Sequence, residues 1–213
     1  MSKVFLSEHA NPMLADYLKS LGYSISFVYS ASHTYDPVSS HPDIYMCRTG
    51  LGEIFYGDPG SPGPNYPDNI KYNAACVGKY FIHRLGSTSK DLLDHAKHSG
   101  KILIDVPQGY TKCNMVVVGD RAAITSDRGI AKALAGTDID LLLVSPGHVR
   151  LRGYSCGFIG GASGQVGNDI VFHGNLAAHP DFNEIADFLE GHGCGLKYFE
   201  EFELEDIGSI IWA

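Results

Sequence analysis

The sequence predicts an α/β propeller in which five similar units close into a ring, forming a single domain over residues 1–213. Three observations lead to this fold class. The stretch from Asn73 to Phe199 repeats one order of elements three times: strand, tight turn, strand, helix, strand. The repeat length is roughly 40 residues, which is typical of propellers and repeat arrays. Incomplete copies of the same unit lie before residue 71 and at the end of the chain.

The three complete units are predicted over residues 72–107, 113–146 and 155–200. Their first strands are expected at 73–77, 114–118 and 157–161, and their second strands at 80–83, 122–125 and 169–173. Short apolar runs separated by glycine turns such as Gly78-Lys79 are typical of hairpins. The helices are expected at 87–99, 126–135 and 180–190, and the third strands at 101–106, 140–144 and 195–199. Ser87, Thr88 and Ser126 are candidate caps at the helix starts, Pro180 suits a first helical turn, and a glycine follows each helix.

The two ends of the chain are predicted to build one unit together, from residues 1–30 and 209–213. At the amino terminus, a strand at 4–7, a helix at 12–21 and a strand at 23–28 lack the first strand of the unit. Residues 209–212 form a strand without a unit. Pairing of these terminal strands would close the ring and remove two exposed sheet edges.

The remaining unit, over residues 41–70, is predicted to have lost its helix. A hairpin is expected from strands at 43–48 and 53–56. The next segment, at 58–64, reads Asp-Pro-Gly-Ser-Pro-Gly-Pro. Three prolines in seven residues exclude a helix there, because proline lacks the amide hydrogen and clashes with the preceding turn.

Composition restricts the class of protein. With 213 residues, 44% of them apolar and 19% charged, the chain can form one domain with a substantial core. A net charge of −8 argues against a nucleic-acid-binding surface. No apolar run approaches the ~20 residues of a membrane span, and the apolar stretch at the start is too short for a secretory signal. We therefore expect a cytoplasmic protein with neither a membrane nor a nucleic-acid partner.

The five cysteines are odd in number and share no close spacing: Cys47, Cys76, Cys113, Cys156 and Cys194. Reduced thiols fit this pattern better than a disulfide framework, which again indicates the cytoplasm. No CxxC pair and no HxxxH or HExxH helix pattern occurs, so neither a metal nor another cofactor is expected. The sequence does not predict the oligomeric state.

Three segments carry a family resemblance: Gln-Gly-Tyr-Thr-Lys-Cys-Asn at 108–114, residues 124–133, and the glycine-rich run at 153–164. Together with five units around a pseudo-fivefold axis, they resemble the pentein fold of guanidino-group-modifying enzymes, and in particular an uncharacterised bacterial branch. That superfamily includes arginine deiminases, amidinotransferases and dimethylarginine hydrolases, and also a non-catalytic ribosome anti-association factor. The resemblance implies either a cysteine-dependent reaction or a binding role without chemistry.

Candidate catalytic residues lie where the first strands of the units start, because these starts would face one another near the ring axis. Cys113 is the candidate nucleophile, since the neighbouring Lys112 ammonium would lower its thiol pKa. His41 is the candidate proton carrier. Asp43 is the candidate clamp for a planar guanidinium, through paired hydrogen bonds.

Each of these residues also has a structural interpretation. Cys113 can be a small buried residue at a strand start. His41-Pro42-Asp43 can be a strand entry in which proline keeps the chain extended and the aspartate caps a turn. The glycine-rich run can serve a wide turn or a close backbone approach at the ring centre.

The candidate substrate-binding residues are Asn73, Asn114, Gly160, Gly161 and Ser163.

Two functions therefore remain open. The preferred one is a cysteine-dependent hydrolase or transferase that acts on a small guanidino or amidine compound, because polar residues converge at the strand starts. The alternative is a binding module that recognises a protein, a ribosomal surface or a small metabolite, with the tyrosine-rich loops at 29–35 and 56–66 as contact candidates. Catalytic penteins generally carry the nucleophile in the final unit, whereas Cys113 lies in the fourth.

Overall fold

A computed structural model describes residues 2–213, which form five small β-sheets and five α-helices in a mixed α/β fold. The helices are α1 (Pro12–Ser20), α2 (Lys90–His98), α3 (Thr111–Asn114), α4 (Arg128–Leu134) and α5 (Phe182–Gly191). The strands of the first half are β1 (Lys3–Ser7), β2 (Ser24–Val28), β3 (Met46–Gly50), β4 (Glu53–Tyr56), β5 (Ala75–Val77), β6 (Tyr80–His83) and β7 (Ile102–Asp105). Those of the second half are β8 (Met115–Val118), β9 (Ala122–Thr125), β10 (Asp140–Leu143), β11 (Ser163–Val166), β12 (Asp169–Phe172), β13 (Gly195–Lys197) and β14 (Ile211–Trp212).

Three sheets share one topology, which the repeat predicted. In each, two strands form an antiparallel hairpin, and the third strand returns through a helix to lie parallel to the second. The strand orders are β5-β6-β7, β8-β9-β10 and β11-β12-β13. The fourth sheet is the β3–β4 hairpin alone, and the part of the chain that the structure describes has no α-helix between β4 and β5. The predicted loss of that helix is confirmed.

The two ends of the chain pair with each other, as predicted. β14 runs antiparallel to β1 with Val4 opposite Trp212, and β2 lies parallel on the other side of β1. Lys3 of β1 and Ala213, which follows β14, exchange two backbone hydrogen bonds of 3.3 and 2.9 Å. This pairing completes the fifth sheet, in the order β14-β1-β2.

The first strands of the sheets, called here the inner strands, lie side by side. β3 contacts β5, β5 contacts β8, β8 contacts β11, and β11 contacts β14. Backbone hydrogen bonds also join the segments that precede these strands: Lys112 N to Asn73 O, Gly161 N to Cys113 O, Ser209 N to Gly161 O, and Asp43 N to Gly208 O. Backbone hydrogen bonds therefore hold the strand starts together.

The helices cover the sheets through apolar faces. Leu14 and Leu18 of α1 pack with Val4 and Leu6 of β1. Two helices begin with a side-chain cap: Asn11 accepts from the Met13 amide at the start of α1, and Asp127 accepts from the Ile130 amide at the start of α4. The helices α2, α3 and α5 begin without such a bond. No helix within residues 2–213 is long and apolar enough to cross a membrane.

One predicted strand is wrong. Residues 157–161 form no strand, and the inner strand of that sheet, β11, begins at Ser163. The preceding segment folds into turns, with Ala162 N bonded to Phe158 O and Ser163 N to Gly160 O. The apolar residues of this run are typical of a strand. Its glycines, however, are required because neighbouring backbone lies too close to leave room for a side chain. A Cβ on Gly160 would lie 2.3 Å from the carbonyl oxygen of Met115.

Candidate functional site at the starts of the inner strands

Five residues occupy matching places just before the five inner strands. Each stands two residues before its strand, or three in the case of Asp43. They are Asp43, Asn73, Cys113, Gly161 and Ser209. The four with side chains are all buried, and three contacts join them directly: Asn73 with Cys113, Cys113 with Asp43, and Asp43 with Ser209. This buried group is called the thiol cluster below.

Cys113 lies in the one-turn helix α3, which places its thiol between an amide and a carboxylate. The thiol donates to Asp43 Oδ2 at 3.0 Å, and Asn73 Nδ2 donates to Cys113 Sγ at 3.2 Å. Asn73 also accepts from the Cys113 amide through Oδ1, at 3.2 Å. These bonds fix both the backbone and the sulfur of Cys113. Burial, followed by the negative charges of Asp43 and Asp206, raises the pKa of the thiol well above its ordinary value.

Asp43 is the centre of the cluster. A short 3₁₀ turn, Pro42–Ile44, carries it beneath the strand starts. Its Oδ2 accepts from the Cys113 thiol and from the Ser209 hydroxyl, at 3.0 and 2.7 Å. Its Oδ1 is buried and has no hydrogen-bond partner within the described residues. Burial raises the pKa of this carboxyl group, against the opposing influence of His41 and of the Cys113 hydrogen bond.

Lys112 places a partly buried ammonium beside the cluster. Its Nζ donates to three oxygens: Ser209 Oγ at 3.0 Å, Gly160 O at 3.1 Å and Met115 O at 3.3 Å. Three acceptors match the three hydrogens of an ammonium. Burial lowers the pKa of Lys112, and the charge of Asp43 partly offsets that effect. Ser209 thus connects the ammonium of Lys112 to the carboxylate of Asp43.

His41 lies on the other side of Asp43, next to a second buried carboxylate. His41 Nδ1 is 3.8 Å from Asp206 Oδ1, too far for a hydrogen bond, and it has no partner among residues 2–213. Burial lowers the pKa of His41 to about 4, so the imidazole is neutral at pH 7. Burial also raises the pKa of Asp206 to about 6, although the amides of Phe158 and Gly208 donate to it at 3.0 and 2.9 Å.

The structure therefore brings the three predicted catalytic residues together. Ligand atoms of His41, Asp43 and Cys113 all lie within 4.8 Å of one another, although 70 residues separate Asp43 from Cys113. An imidazole, a carboxylate and a thiol at this separation can exchange protons through a bound molecule. The same three atoms could hold a metal ion. No helical histidine motif indicates such a group, because its ligands come from two segments that are distant in the chain.

The predicted substrate-binding residues have different environments. Asn73 contacts the thiol directly, as described above. Asn114 is turned away from it, and its Nδ2 donates to Tyr110 O at 3.1 Å. Gly160 contributes its carbonyl oxygen to Lys112 and Ser209, and Ser163 Oγ donates to that same oxygen at 3.3 Å. A Cβ on Gly161 would lie 2.0 Å from Asp206 Oδ1, so glycine allows the carboxylate to approach.

Three members of the site were not predicted as site residues: Ser209, Asp206 and Lys112, the last considered only as a neighbour of Cys113. A signal for Ser209 was present, because it precedes its strand by two residues, as Asn73 and Cys113 do. Asp206 lies in a loop without a repeat position, and no pattern in the sequence pointed to it. Lys112 lies in the one-turn helix α3, and its Nζ reaches Gly160 and Ser209, contacts distant in the chain that no local pattern indicates.

Aromatic rings extend from the cluster toward the surface. Tyr110 precedes Cys113 by three residues, and its ring packs between Tyr66 and Phe158 with centroid separations of 5.9 and 6.3 Å. Asn69 Nδ2 donates to the Tyr110 hydroxyl at 2.8 Å. Only 2% of Cys113 is exposed. A molecule that reaches the thiol must therefore displace neighbouring side chains.

Comparison with known proteins identifies a family without a described activity. A family model described as a family of unknown function (DUF6873) matches residues 57–211, which is more than half of the chain. The chain belongs to this family. No curated protein and no solved structure matches the chain.

Proposed function

We propose that this member of the DUF6873 family is a cysteine-dependent hydrolase or transferase of the pentein type, acting on a small guanidino or amidine compound. The observation that carries the proposal is the convergence of Cys113, Asp43 and His41, whose ligand atoms lie within 4.8 Å of one another. A purely structural cysteine does not need a carboxylate and an imidazole beside it, since burying them is unfavourable.

The pentein assignment is supported by the arrangement of the inner strands. Five sheets place their inner strands in the spatial sequence β3, β5, β8, β11, β14, and β14 pairs with β1. We infer that the five units surround a pseudo-fivefold axis, with the thiol cluster on that axis. The five matching strand-start positions follow naturally from this symmetry.

A cationic substrate suits this site, because the carboxylates of Asp43 and Asp206 lie close together there and Asp43 Oδ1 has no hydrogen-bond partner. An amidinium group can donate to Asp43 Oδ1, the buried oxygen that no described residue contacts. Burial, followed by the negative charges of Asp43 and Asp206, raises the pKa of Cys113, and the positive charge of the amidinium would offset those two charges and so favour the thiolate. A neutral thiol in the free protein thus becomes a nucleophile when the substrate binds.

In the proposed reaction, Cys113 Sγ forms a bond to the amidine carbon after its proton passes to His41. The tetrahedral adduct then breaks one C–N bond, and the departing amine takes the proton from His41. Water next attacks the carbon and gives one proton to His41, the C–S bond breaks, and the departing sulfur takes that proton from His41, which restores the neutral thiol. In a transferase, a second amine takes the place of the water. Asn73 holds the sulfur through Nδ2 in this scheme.

Alkylation by two matched reagents tests this proposal. We predict that cationic chloroacetamidine labels Cys113 faster than neutral chloroacetamide does, by about tenfold or more relative to the other cysteines, because Asp43 recruits the cation. Peptide mass spectrometry after short exposures would report each cysteine separately. Cys156 and Cys194, both partly exposed, are internal controls in the same sample.

Asp43→Asn should remove the preference for the cation while leaving the labelling of Cys156 and Cys194 unchanged. Release of ammonia or amine from small guanidino compounds should disappear in Cys113→Ser. If Cys113 shows the same reagent ratio as the other cysteines, the proposed reaction is wrong. Added zinc separates a metal site from the free thiol, since bound metal would block labelling of Cys113 by both reagents.

The second candidate, a binding module without chemistry, is favoured by one observation: the cluster is almost inaccessible, with Asp43 1% and Cys113 2% exposed. Contact surfaces for such a module exist in the two predicted loops. Tyr29 and Tyr56 are 68% and 58% exposed, and Tyr35 and Tyr66 are also exposed. Equal, slow labelling of Cys113 by both reagents would favour this function.

A further inference from the structure

A cavity of about 410 Å³ lies among the inner strands, apart from the thiol cluster. All five inner strands line it, together with the turn glycines Gly78, Gly119 and Gly167 at the far ends of β5, β8 and β11. Lys112 lies between the two features, since it lines the cavity and donates to Ser209 in the cluster. The volume is in the range of sites for small ligands, roughly 300–1,000 Å³.

The charges that line the cavity are mostly positive. Arg48, Lys101 and Lys112 face one acidic residue, Asp120, in a chain whose net charge is −8. Lys112 already has three acceptors. None of the ion pairs formed within residues 2–213 includes Arg48 or Lys101. Two cations that form no ion pair therefore border the same partly open cavity, where an anion would interact with both.

The contacts of these two cations leave donors available. Arg48 donates through Nε to Gly50 O at 3.3 Å, and its guanidinium carbon lies 5.2 Å from the centre of the Trp212 ring. Lys101 Nζ donates to Gly78 O at 2.6 Å. The Arg48 Nη groups donate to no residue in the described part of the chain. A guanidinium held in this way presents a planar pair of N–H groups that suits carboxylate or phosphate oxygens.

Two further donors in the lining are buried and unused. Thr49 Oγ1 and Trp212 Nε1 have no hydrogen-bond partner among the described residues. Buried polar atoms without partners are rare in folded proteins and are commonly satisfied by water or a ligand. Apolar surface adjoins them, from Met46, Val117 and the Trp212 ring. The lining thus fits a molecule that has acceptor oxygens at one end and an apolar body.

We propose that this cavity binds a small organic anion, a carboxylate or a phosphate ester, whose oxygens contact Arg48 and Lys101 and whose apolar part contacts Trp212. The site is separate from the proposed reaction, because it lies beyond Lys112 and uses neither Cys113 nor Asp43. Loss of thiol reactivity would leave this binding intact, so the two proposals fail independently.

Trp212 is the single tryptophan of the chain, so its fluorescence reports on the cavity. The wild-type protein would be titrated with benzoate, phenyl phosphate, neutral benzyl alcohol and cationic benzylammonium. We expect a saturable change with at least one of the two anions and none with the other compounds. Saturation by benzoate alone indicates a carboxylate ligand, and saturation by phenyl phosphate alone indicates a phosphate ester. Equal responses to all four compounds, or none, would overturn the proposal.

Charge-removing variants test the two cations. Arg48→Gln and Lys101→Gln should each weaken anion binding by about tenfold or more. The matched controls Arg150→Gln and Lys90→Gln remove the same charges from exposed ion pairs elsewhere, and should bind as the wild type does. Unchanged binding in both cavity variants would overturn the proposal.

A measurement on the wild type does not depend on the folding of any variant. Iodide should quench Trp212 more strongly than caesium does, because the cavity attracts anions. Equal or stronger quenching by caesium would contradict a positive cavity.

Discussion

Ser209 combines an unfavourable backbone conformation with hydrogen bonds that the buried cluster requires. Its φ of 76° is the only positive φ of a non-glycine residue among residues 2–213. Side chains with a Cβ pay roughly 1–2 kcal/mol in this region. The hydroxyl compensates locally, because it donates to Asp43 at 2.7 Å and accepts from Lys112 at 3.0 Å. Serine therefore suits this position because of the hydrogen bonds of its side chain, although its backbone conformation is unfavourable.

Two substitutions at this position separate these effects. Ser209→Ala keeps the strain and removes both hydrogen bonds, whereas Ser209→Gly removes the bonds but relieves the strain. We expect both to lower the free energy of unfolding, by about 1–3 kcal/mol for the unpaired Lys112 and Asp43. The glycine variant should be the more stable by about 1 kcal/mol. Urea unfolding measures the order, and the exposed Ser99→Ala is a near-neutral control.

If Ser209→Ala unfolds at the same denaturant concentration as the wild type, the hydroxyl does not carry the connection between the two charges. If alanine is more stable than glycine, the left-handed backbone is not a source of strain. The first result would contradict the assignment of Ser209 as the link, and the second would contradict the strain at its backbone.

At the scale of residues, the sequence predicted the positions of the site residues better than their protonation states. His41, Asp43 and Cys113 were chosen as polar residues at strand starts, and the structure brings them together. Their catalytic roles stay a prediction. The protonation of the thiol was not predictable, because Lys112, expected to lower the pKa of Cys113, is itself bonded to three oxygens. Burial raises the pKa of Cys113, and the charge of Asp43 adds to that effect.

At the scale of elements, periodicity and turn chemistry predicted the hairpins and helices well. The strand at 122–125 matches β9, and α5 begins two residues after Pro180. The segments that were predicted wrongly share one cause, because contacts with residues distant in the sequence determine their conformation. The run at 157–161 is apolar enough for a strand but must pass Met115 and Asp206 closely, as its glycines allow. The one-turn helix α3 likewise depends on neighbours that no local pattern contains, such as Asn73, which accepts from the Lys112 amide.

His173 illustrates how one buried side chain ties separate elements together. It follows β12, and its Nε2 accepts from the amide of Asn11, the cap residue of α1, at 2.9 Å. Nε2 is therefore unprotonated, and Nδ1 donates to Glu205 O at 3.0 Å. Burial lowers the pKa of His173 to about 4. A protonated ring would lose the acceptor for Asn11 and release the start of α1.

The sign of the pH effect follows from this pKa. Between about pH 6.5 and pH 4 the unfolded chain binds a proton at His173 and the folded protein does not, so stability decreases as the pH falls. We expect about 2 kcal/mol from this residue between pH 7 and pH 5. His41 and His83, with pKa values also lowered to about 4, act in the same direction, and Asp206, with its raised pKa, acts against them.

Urea unfolding at both pH values, for the wild type and for His173→Gln, isolates the contribution of His173. The variant should be less stable at pH 7 but should lose less on acidification. A variant that loses as much stability as the wild type would show that His173 is protonated in the folded protein at pH 5.

At the scale of the whole molecule, every inner strand contributes to the centre. The cluster takes side chains from the segments before β3, β5, β8 and β14 and a glycine from the segment before β11. The cavity is lined by the same five strands. Neither feature can exist in an isolated unit, although each unit has a predictable local pattern. The sequence repeat therefore predicts the units, and only their assembly determines which polar residues meet.

Because β14 completes the sheet of β1, the position of the chain ends should be unimportant, whereas the strand should be essential. A circular permutant would join the native ends, which already exchange backbone hydrogen bonds at Lys3 and Ala213, through a Gly-Ser linker of about six residues. New ends between the exposed residues Pro146 and Gly147 leave every unit intact. We expect this permutant to unfold cooperatively, within about 2 kcal/mol of the wild type.

Deletion of residues 211–213 should instead abolish cooperative unfolding, because it removes β14, exposes the edge of β1 and leaves Ser209 unsupported. Circular dichroism during urea unfolding distinguishes the outcomes, and a stable deletion variant or an unfolded permutant would show that closure through β14 does not hold the molecule together.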